Sequence, residues 1–246
     1  MQDVQKLYDA RVSGNILTPG QDIEIDSVEA AYEVQDELLK MQGDSAIGYK
    51  ISMTSPETQN LFDSHEPVYG PFTTRQVIRE LSLKDYNVPL AELELVFYVN
   101  EDLSVDDDAT SIIEKCDVAP AIEIPDGRYD DWFPNISKYE VVADCAVSGA
   151  IVIGERRKAT YNELDKIQGQ LYLDSEVVKS GDSSEVMDHP VNAMLWLIEK
   201  LNSQGKTLRA GQFVSSGTFI LPIKLEVGEY KAEFDGIGTV SFKVSE

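Results

Sequence analysis

Basic residues are scarce. The chain has 21 Lys and Arg against 44 Asp and Glu, a formal net charge of −23 with both histidines neutral. Such a surface repels phosphate backbones and anionic lipid, which excludes general nucleic-acid binding and attachment to acidic membranes. Any anionic ligand must meet a local positive centre, because the average field pushes it away. Cysteine is nearly absent: Cys116 and Cys145 are too few for a disulfide framework, and no Cys-x-x-Cys or Cys/His cluster is there to hold zinc. Two reduced thiols in a cytoplasmic protein are expected. Long apolar runs are missing too, since residues 150–153 and 194–198 are far shorter than a bilayer span. The first residues show no basic segment followed by an apolar stretch, so no secretory signal is read. Gly-x-Gly-x-x-Gly and Gly-x-x-x-x-Gly-Lys do not occur, which suggests no nucleotide loop. The acidic run over 101–108 lacks the EF-hand spacing and reads as a solvated loop.

What is present is a globular composition, 42% hydrophobic and 26% charged, over 246 residues, enough for a sizeable core. No linker or repeat divides the chain. One α+β domain over 1–246 is expected, helix-rich over 1–80 and β-rich over 81–246. Residues 1–12 place apolar side chains at 1, 4, 7, 8 and 12. A second helix starts at Asp26, with Glu29 three residues on, and has Val28, Ala31, Tyr32, Leu38 and Leu39 as its apolar face. Ser55-Pro56-Glu57 starts a short helix. Residues 47–53, 88–99, 118–124 and 146–153 read as strands. A hairpin turns at Asp174-Ser175, and Pro190 opens a helix bearing Val191, Met194, Leu195, Ile198 and Leu201.

The strand at 89–99 carries the chemistry. Leu93, Leu95, Phe97 and Val99 share one face; Glu92, Glu94, Val96 and Tyr98 share the other. That second face begins with two carboxylates and then turns apolar, unlike a solvated face. Alone, the pair is either an exposed strand end or two ligands of a divalent cation, which would relieve both repulsion and desolvation. Glu123 shifts the balance, because it stands in an otherwise apolar strand where an unpaired glutamate is rarely buried. If the two strands run side by side, three carboxylates converge. An all-oxygen set suits Mg²⁺ or Mn²⁺ rather than zinc and leaves positions for water or a chelating substrate. Lys50 is either a surface lysine on an edge strand or a cation orienting a substrate carboxylate. His65 is either a loop histidine beside acids or a general base. His189, before Pro190, is a cap or packing residue, and no Ser-His-Asp arrangement is identified.

Taken in order, Glu92-Leu93-Glu94, Pro120-Ala121-Ile122-Glu123 and the tail resemble the 2-keto-4-pentenoate hydratase and 4-oxalocrotonate decarboxylase family of the fumarylacetoacetate hydrolase superfamily. The likeness extends to Gly48-Tyr49-Lys50-Ile51-Ser52-Met53, Glu66-Pro67-Val68-Tyr69-Gly70, Val142-Ala143-Asp144, His189-Pro190-Val191-Asn192-Ala193 and Leu208-Arg209-Ala210-Gly211. It implies a mixed β-roll core with flanking helices, a Mg²⁺ or Mn²⁺ held by Glu92, Glu94 and Glu123, Lys50 facing the substrate, and small 2-oxo acid substrates from aromatic catabolism. Chelation through the carboxylate and keto oxygens would let the cation stabilise an enolate. Ser215, Ser216, Gly217 and Thr218 are candidate donors to the substrate. Three positions depart from the family. Hydratases usually carry an acid where Val68 stands, and the loop here is closer to that of the decarboxylases. Asp144-Cys145-Ala146-Val147 replaces the common Asp-Asn-Ala-Ser, with Ser148 or His65 as possible substitutes. A metal-dependent hydratase-like lyase is therefore expected. The alternatives are a 4-oxalocrotonate decarboxylase-like enzyme, an acylpyruvate C–C hydrolase using His65-Glu66, or a non-catalytic 2-oxo acid binding protein. A homo-oligomer is also expected.

Overall fold

Two amphipathic helices open the chain. The structure, a computed structural model, describes residues 2–246, so Met1 of the first apolar stripe lies outside the described residues. Helix α1 (Gln2–Ser13) buries Val4, Leu7 and Ala10, with Asp3 in its first turn and Arg11 in its last, both favourable to the helix dipole. Helix α2 (Val28–Met41) buries Ala31, Tyr32, Gln35 and Leu38. Its cap is Ser27 rather than Asp26, because the Ser27 hydroxyl is the group that accepts from the Ala30 N–H.

Strands and short helices then alternate. Strand β1 (Gly48–Ser52) leads into α3 (Pro56–Leu61), which starts with a capping box between Ser55 and Thr58. Strands β2 (Val68–Phe72) and β3 (Glu80–Ser82) follow. The long strands β4 (Leu90–Val99) and β5 (Cys116–Pro125) are joined through α4 (Ala109–Lys115). The acidic run between them is pinned rather than free. Asp102 pairs with Arg209, Asp107 with Lys115, and Asp108 caps α4. Next come α5 (Trp132–Asn135), α6 (Lys138–Ala143) and β6 (Ser148–Ile153). After α7 (Tyr161–Leu164), β7 (Gln168–Leu173) and β8 (Glu176–Asp182) form the expected hairpin, with Asp174 and Ser175 at φ 48° and 76°, as a two-residue turn requires. Helix α8 (Pro190–Ser203) begins at Pro190, and His189 Nδ1 accepts from the Val191 N–H, so this histidine is a cap. Strands β9 (Phe213–Thr218), β10 (Ile223–Lys224), β11 (Gly228–Phe234) and β12 (Gly238–Ser245) complete the order.

Two sheets result. The larger is mixed, in the order β2-β1-β9-β4-β5-β6 with β10 paired to β4; β1 and β9 run parallel. The smaller has the order β3-β12-β11-β7-β8. The α+β expectation is met, but the first 80 residues are less separate than their helices suggest, since they supply β1 and β2 of the larger sheet. One core runs from Val4 to Val244 and takes Leu93, Leu95, Phe97 and Val99 from β4. On the opposite face Val96 packs with Phe72, Ala121, Ile151 and Phe213. Alternation along β4 carries Glu92 and Glu94 to that second face, as read from the sequence.

Candidate metal centre

Strands β4 and β5 pair antiparallel, with Glu92 directly opposite Glu123 and Glu94 opposite Ala121. Directly opposed residues project to the same face. Glu92, Glu94 and Glu123 therefore converge, each offering a carboxylate oxygen within 4.8 Å of the others'. All three are buried, Glu123 completely. Lys50, also buried, lies beside Ser215 in the β1–β9 register and reaches across the curl of the sheet to place Nζ 2.7 Å from Glu123 Oε2. Glu94 Oε2 accepts from the Ser215 hydroxyl and, at 3.2 Å, from the Gly217 N–H. Gly217 has φ +122°, and a Cβ there would lie 2.5 Å from Thr54 Oγ1, so this donor position is closed to a side chain. The β4–β9 ladder shifts register between Glu94 and Val96, and this irregularity aims both donors at one carboxylate.

The electrostatics are unbalanced. Burial and then the charge of Glu123 push the Glu92 carboxyl well above its ordinary value. The same two causes raise Glu94 to about 8, opposed by Lys50 and by the Ser215 and Gly217 donors. Burial works against the Lys50 ammonium, but Glu123, Glu92 and Glu94 outweigh it, and its pKa is raised. Glu123 Oε1 is buried with no hydrogen-bond partner. An orphaned carboxylate oxygen beside two further acids is the donor chemistry of a hard divalent cation. The residues fit such an ion.

A cleft opens over this floor. Its walls include Met53, Phe62, Trp132, Phe133, Val141 and Val147 together with the polar Ser52, Thr54, Thr58 and Thr218, and the cleft is narrow, with about 30 Å³ free. Val147 arrives there by an unusual route. Cys145, Ala146 and Val147 are three consecutive residues at positive φ, 56°, 50° and 49°. A β-branched residue in that region is strained. The turn is held from both ends. Arg11 of α1 and Arg128 both bond the buried Asp144, each at 2.9 Å, and Asp126 N–H donates to Val147 O at 2.8 Å. Across from it, a Cβ on Gly70 would lie 2.0 Å from Cys145 O, so β2 approaches the turn only because residue 70 has no side chain. Sequence reasoning missed this Asp144 bracket. Its only local signal is an aspartate inside the apolar run at 141–147.

Other expected residues are placed differently. Ser148 turns away from the cleft: its hydroxyl accepts from Gln76 Nε2 at 2.9 Å and donates to Pro71 O at 3.2 Å, beside a separate cavity of about 510 Å³ that also meets Arg11 and Arg128. His65 stands exposed on the loop between α3 and β2, outside the cleft lining, because that surface loop carries it into solvent rather than over the acids. Thr218 lines the cleft, with its hydroxyl donating to Ile220 O at 2.9 Å. The Ser216 hydroxyl is buried without a partner and does not line the cleft.

No family model matches the chain. The 2-hydroxyhexa-2,4-dienoate hydratase of Comamonas testosteroni is 30% identical over 257 residues, covering 98% of this chain and 96% of that protein. The chain belongs to the 2-keto-4-pentenoate hydratase and 4-oxalocrotonate decarboxylase family. Another member, the 2-keto-4-pentenoate hydratase of Burkholderia vietnamiensis, is 28% identical, covering 96% of this chain and 93% of that protein. Among solved structures, 4-oxalocrotonate decarboxylase from Pseudomonas putida, complexed with magnesium and adipate, matches with a TM-score of 0.87 at 22% identity, over 98% of this chain and 95% of that one. Fumarylpyruvate hydrolase from Pseudomonas aeruginosa, with Mn²⁺ and pyruvate, gives 0.64 at 18% identity, over 80% and 88%. The structural likeness places the β-roll within the fumarylacetoacetate hydrolase fold, as the resemblance implied.

Proposed function

We propose that this family member is a divalent-metal-dependent lyase of the 2-keto-4-pentenoate hydratase type, acting on a small 2-oxo acid with Mg²⁺ as its ion. The observation that carries the reading is the orphaned Glu123 oxygen inside a buried group of three carboxylates and one ammonium. Glu92, Glu94 and Glu123 would hold the ion. A divalent cation there withdraws electron density from a chelating 2-oxo acid, which eases proton movement next to the keto group. The protein's own groups do the rest. Ser215 and Gly217 hold Glu94 in orientation by two donated hydrogen bonds. Lys50, ion-paired with Glu123 at 2.7 Å, presents positive charge to an incoming carboxylate, the local centre that an acidic chain needs. The apolar part of the cleft wall lowers the local dielectric, which strengthens each of these interactions.

The hydrolase alternative needs a water-activating base, and an exposed His65 outside the cleft weighs against it. The test is the ultraviolet absorbance of a 2-hydroxydienoate with and without Mg²⁺. Loss of the dienol signal that depends on the metal, with water added to the product, is expected. No consumption by the Mg²⁺-loaded protein across short dienoates refutes the lyase reading. A homo-oligomer is proposed from the family resemblance, and light scattering should give a mass above that of a single chain.

A further inference from the structure

The cavity of about 510 Å³ beside Ser148 shares no lining residue with the metal cleft. Its charge balance is unlike that of the chain. Arg11, Arg75, Lys84 and Arg128 line it, against Asp44, Asp85 and Asp126. With Asp144 behind the two inner arginines, four cations meet four acids in a molecule of net charge −23. Arg11 and Arg128 form its floor, with side chains only 13% and 12% exposed. One buried carboxylate serves both: Arg11 donates to Asp144 through Nε and Nη2, Arg128 through Nε. Arg128 Nη2 reaches the carbonyls of Asp144 and Ser148 only at 3.5 and 3.4 Å. Among the described residues, neither Nη1 has an acceptor, and neither is sealed from solvent. A guanidinium carries five N–H donors, so donors are left unused on both. The acids supply no matching acceptor. Asp126 already accepts the Asn87 and Val88 N–H groups at 3.1 and 2.8 Å, Asp44 lies 3.7 Å from Arg75, and Asp85 is exposed at the rim.

We propose that this cavity is a second, metal-independent site for a small organic anion, whose oxyanion group takes the free Nη1 donors of Arg11 and Arg128. A carboxylate and a phosphate monoester share the chemistry that such a floor recognises, two or more oxygens facing paired guanidinium forks. The cavity is larger than a bare phosphate needs. The half-buried rings of Tyr8 and Tyr86, with the exposed Ile16, give the body of the ligand an apolar surface. The same two arginines hold Asp144, so the anion would sit against the support of the turn that carries Val147 to the metal cleft. Nothing in this assignment depends on the reaction at the metal centre.

Titration calorimetry of the full Mg²⁺-loaded chain at low salt tests it with inorganic phosphate, phenyl phosphate and benzoate. One equivalent of phenyl phosphate or benzoate should bind with a Kd below about 1 mM, more tightly than inorganic phosphate and equally well in EDTA. The two organic probes share a ring, so tighter binding of phenyl phosphate marks a phosphate site and tighter binding of benzoate a carboxylate site. Arg75 and Lys84 are exposed, and the double variant Arg75→Gln, Lys84→Gln should fold normally and bind on the order of tenfold more weakly. Lys166→Gln with Lys243→Gln makes the same charge change at exposed positions outside the cavity and should leave affinity unchanged. No binding by any probe overturns the site. Binding that EDTA abolishes also overturns it, because the anion then belongs to the metal centre. So does binding that the rim pair weakens no more than the distant pair, which reports only the long-range field. Tightest binding of inorganic phosphate overturns the place given to Tyr8, Tyr86 and Ile16.

Discussion

At the scale of single residues, the buried acids decide the behaviour of the site. Glu94→Gln keeps the shape and removes one ligand charge. Its Mg²⁺ affinity should fall on the order of 100-fold by calorimetry, while in EDTA above about pH 8, where Glu94 is ionised, its melting curve stays at or above that of the wild type, because one buried like charge is gone. Unchanged Mg²⁺ affinity would remove Glu94 from the ligand set. The pH dependence has a definite sign. Glu92 and Glu94 have folded-state pKa values raised above the ordinary 4.5, Glu94 to about 8. Such groups contribute stability that is complete below the unfolded value and is lost as pH rises through the folded one. The metal-free protein should therefore lose stability from about pH 4.5 to beyond pH 8, and a divalent ion should restore it. Differential scanning fluorimetry should show a Mg²⁺-induced rise in Tm that is larger at pH 8.5 than at pH 6; a shift that shrinks with pH contradicts the ionisation scheme. Both thiols are free and buried. Burial raises Cys116 to about 12 and Cys145 above its usual value, so neither is an accessible thiolate. Glu92, Glu94 and Glu123 were legible because each interrupts an apolar strand pattern. Asp144 was not, because its partner Arg11 lies 133 positions away and nothing local joins them.

Between elements, close approach matters more than propensity. Strand β2 passes the 145–147 turn at residue 70, where any side chain meets the Cys145 carbonyl. Gly70→Ala should destabilise the protein by about 3 kcal/mol in urea unfolding, an overpacking penalty at the upper end of the common range. Because the same clash displaces the turn that carries Val147, KM for a dienoate should rise more than kcat falls. A variant as stable as the wild type would show that the turn relaxes freely. Elements with strong local signals were legible in advance: α8 from Pro190 and its apolar spacing, the β7–β8 hairpin from Asp174-Ser175, and the two faces of β4 from strict alternation. The left-handed turn was not, because Cys145, Ala146 and Val147 have no preference for positive φ. Contacts from Arg11, Arg128 and Asp126 impose that conformation.

For the whole molecule, net charge is the dominant long-range property. A charge of −23 would repel an anionic substrate until it came within reach of the proposed cation and Lys50. Added salt screens that long-range repulsion more than it weakens the short contacts inside the cleft. Raising NaCl from about 0.01 M to about 0.15 M shortens the Debye length from roughly 30 Å to roughly 8 Å, and kcat/KM for a dienoate should rise, not fall. A steady decline with salt would mean that the cationic centre, not the acidic surface, governs encounter. No helix among the described residues is long and apolar enough to cross a membrane, in line with the short apolar runs.

The amino-acid order alone determined which side chains share a strand face, where α8 begins, and that three acids stand in apolar surroundings. These properties follow from the two-residue period of a strand and from local capping, which need no distant partner. Only the tertiary structure decided that Glu92 faces Glu123, that Lys50 joins them from another strand, and that His65 stays outside. Strand register, sheet curl and the reach of one buried side chain to another are set by contacts between residues far apart in the chain, and no local pattern encodes them.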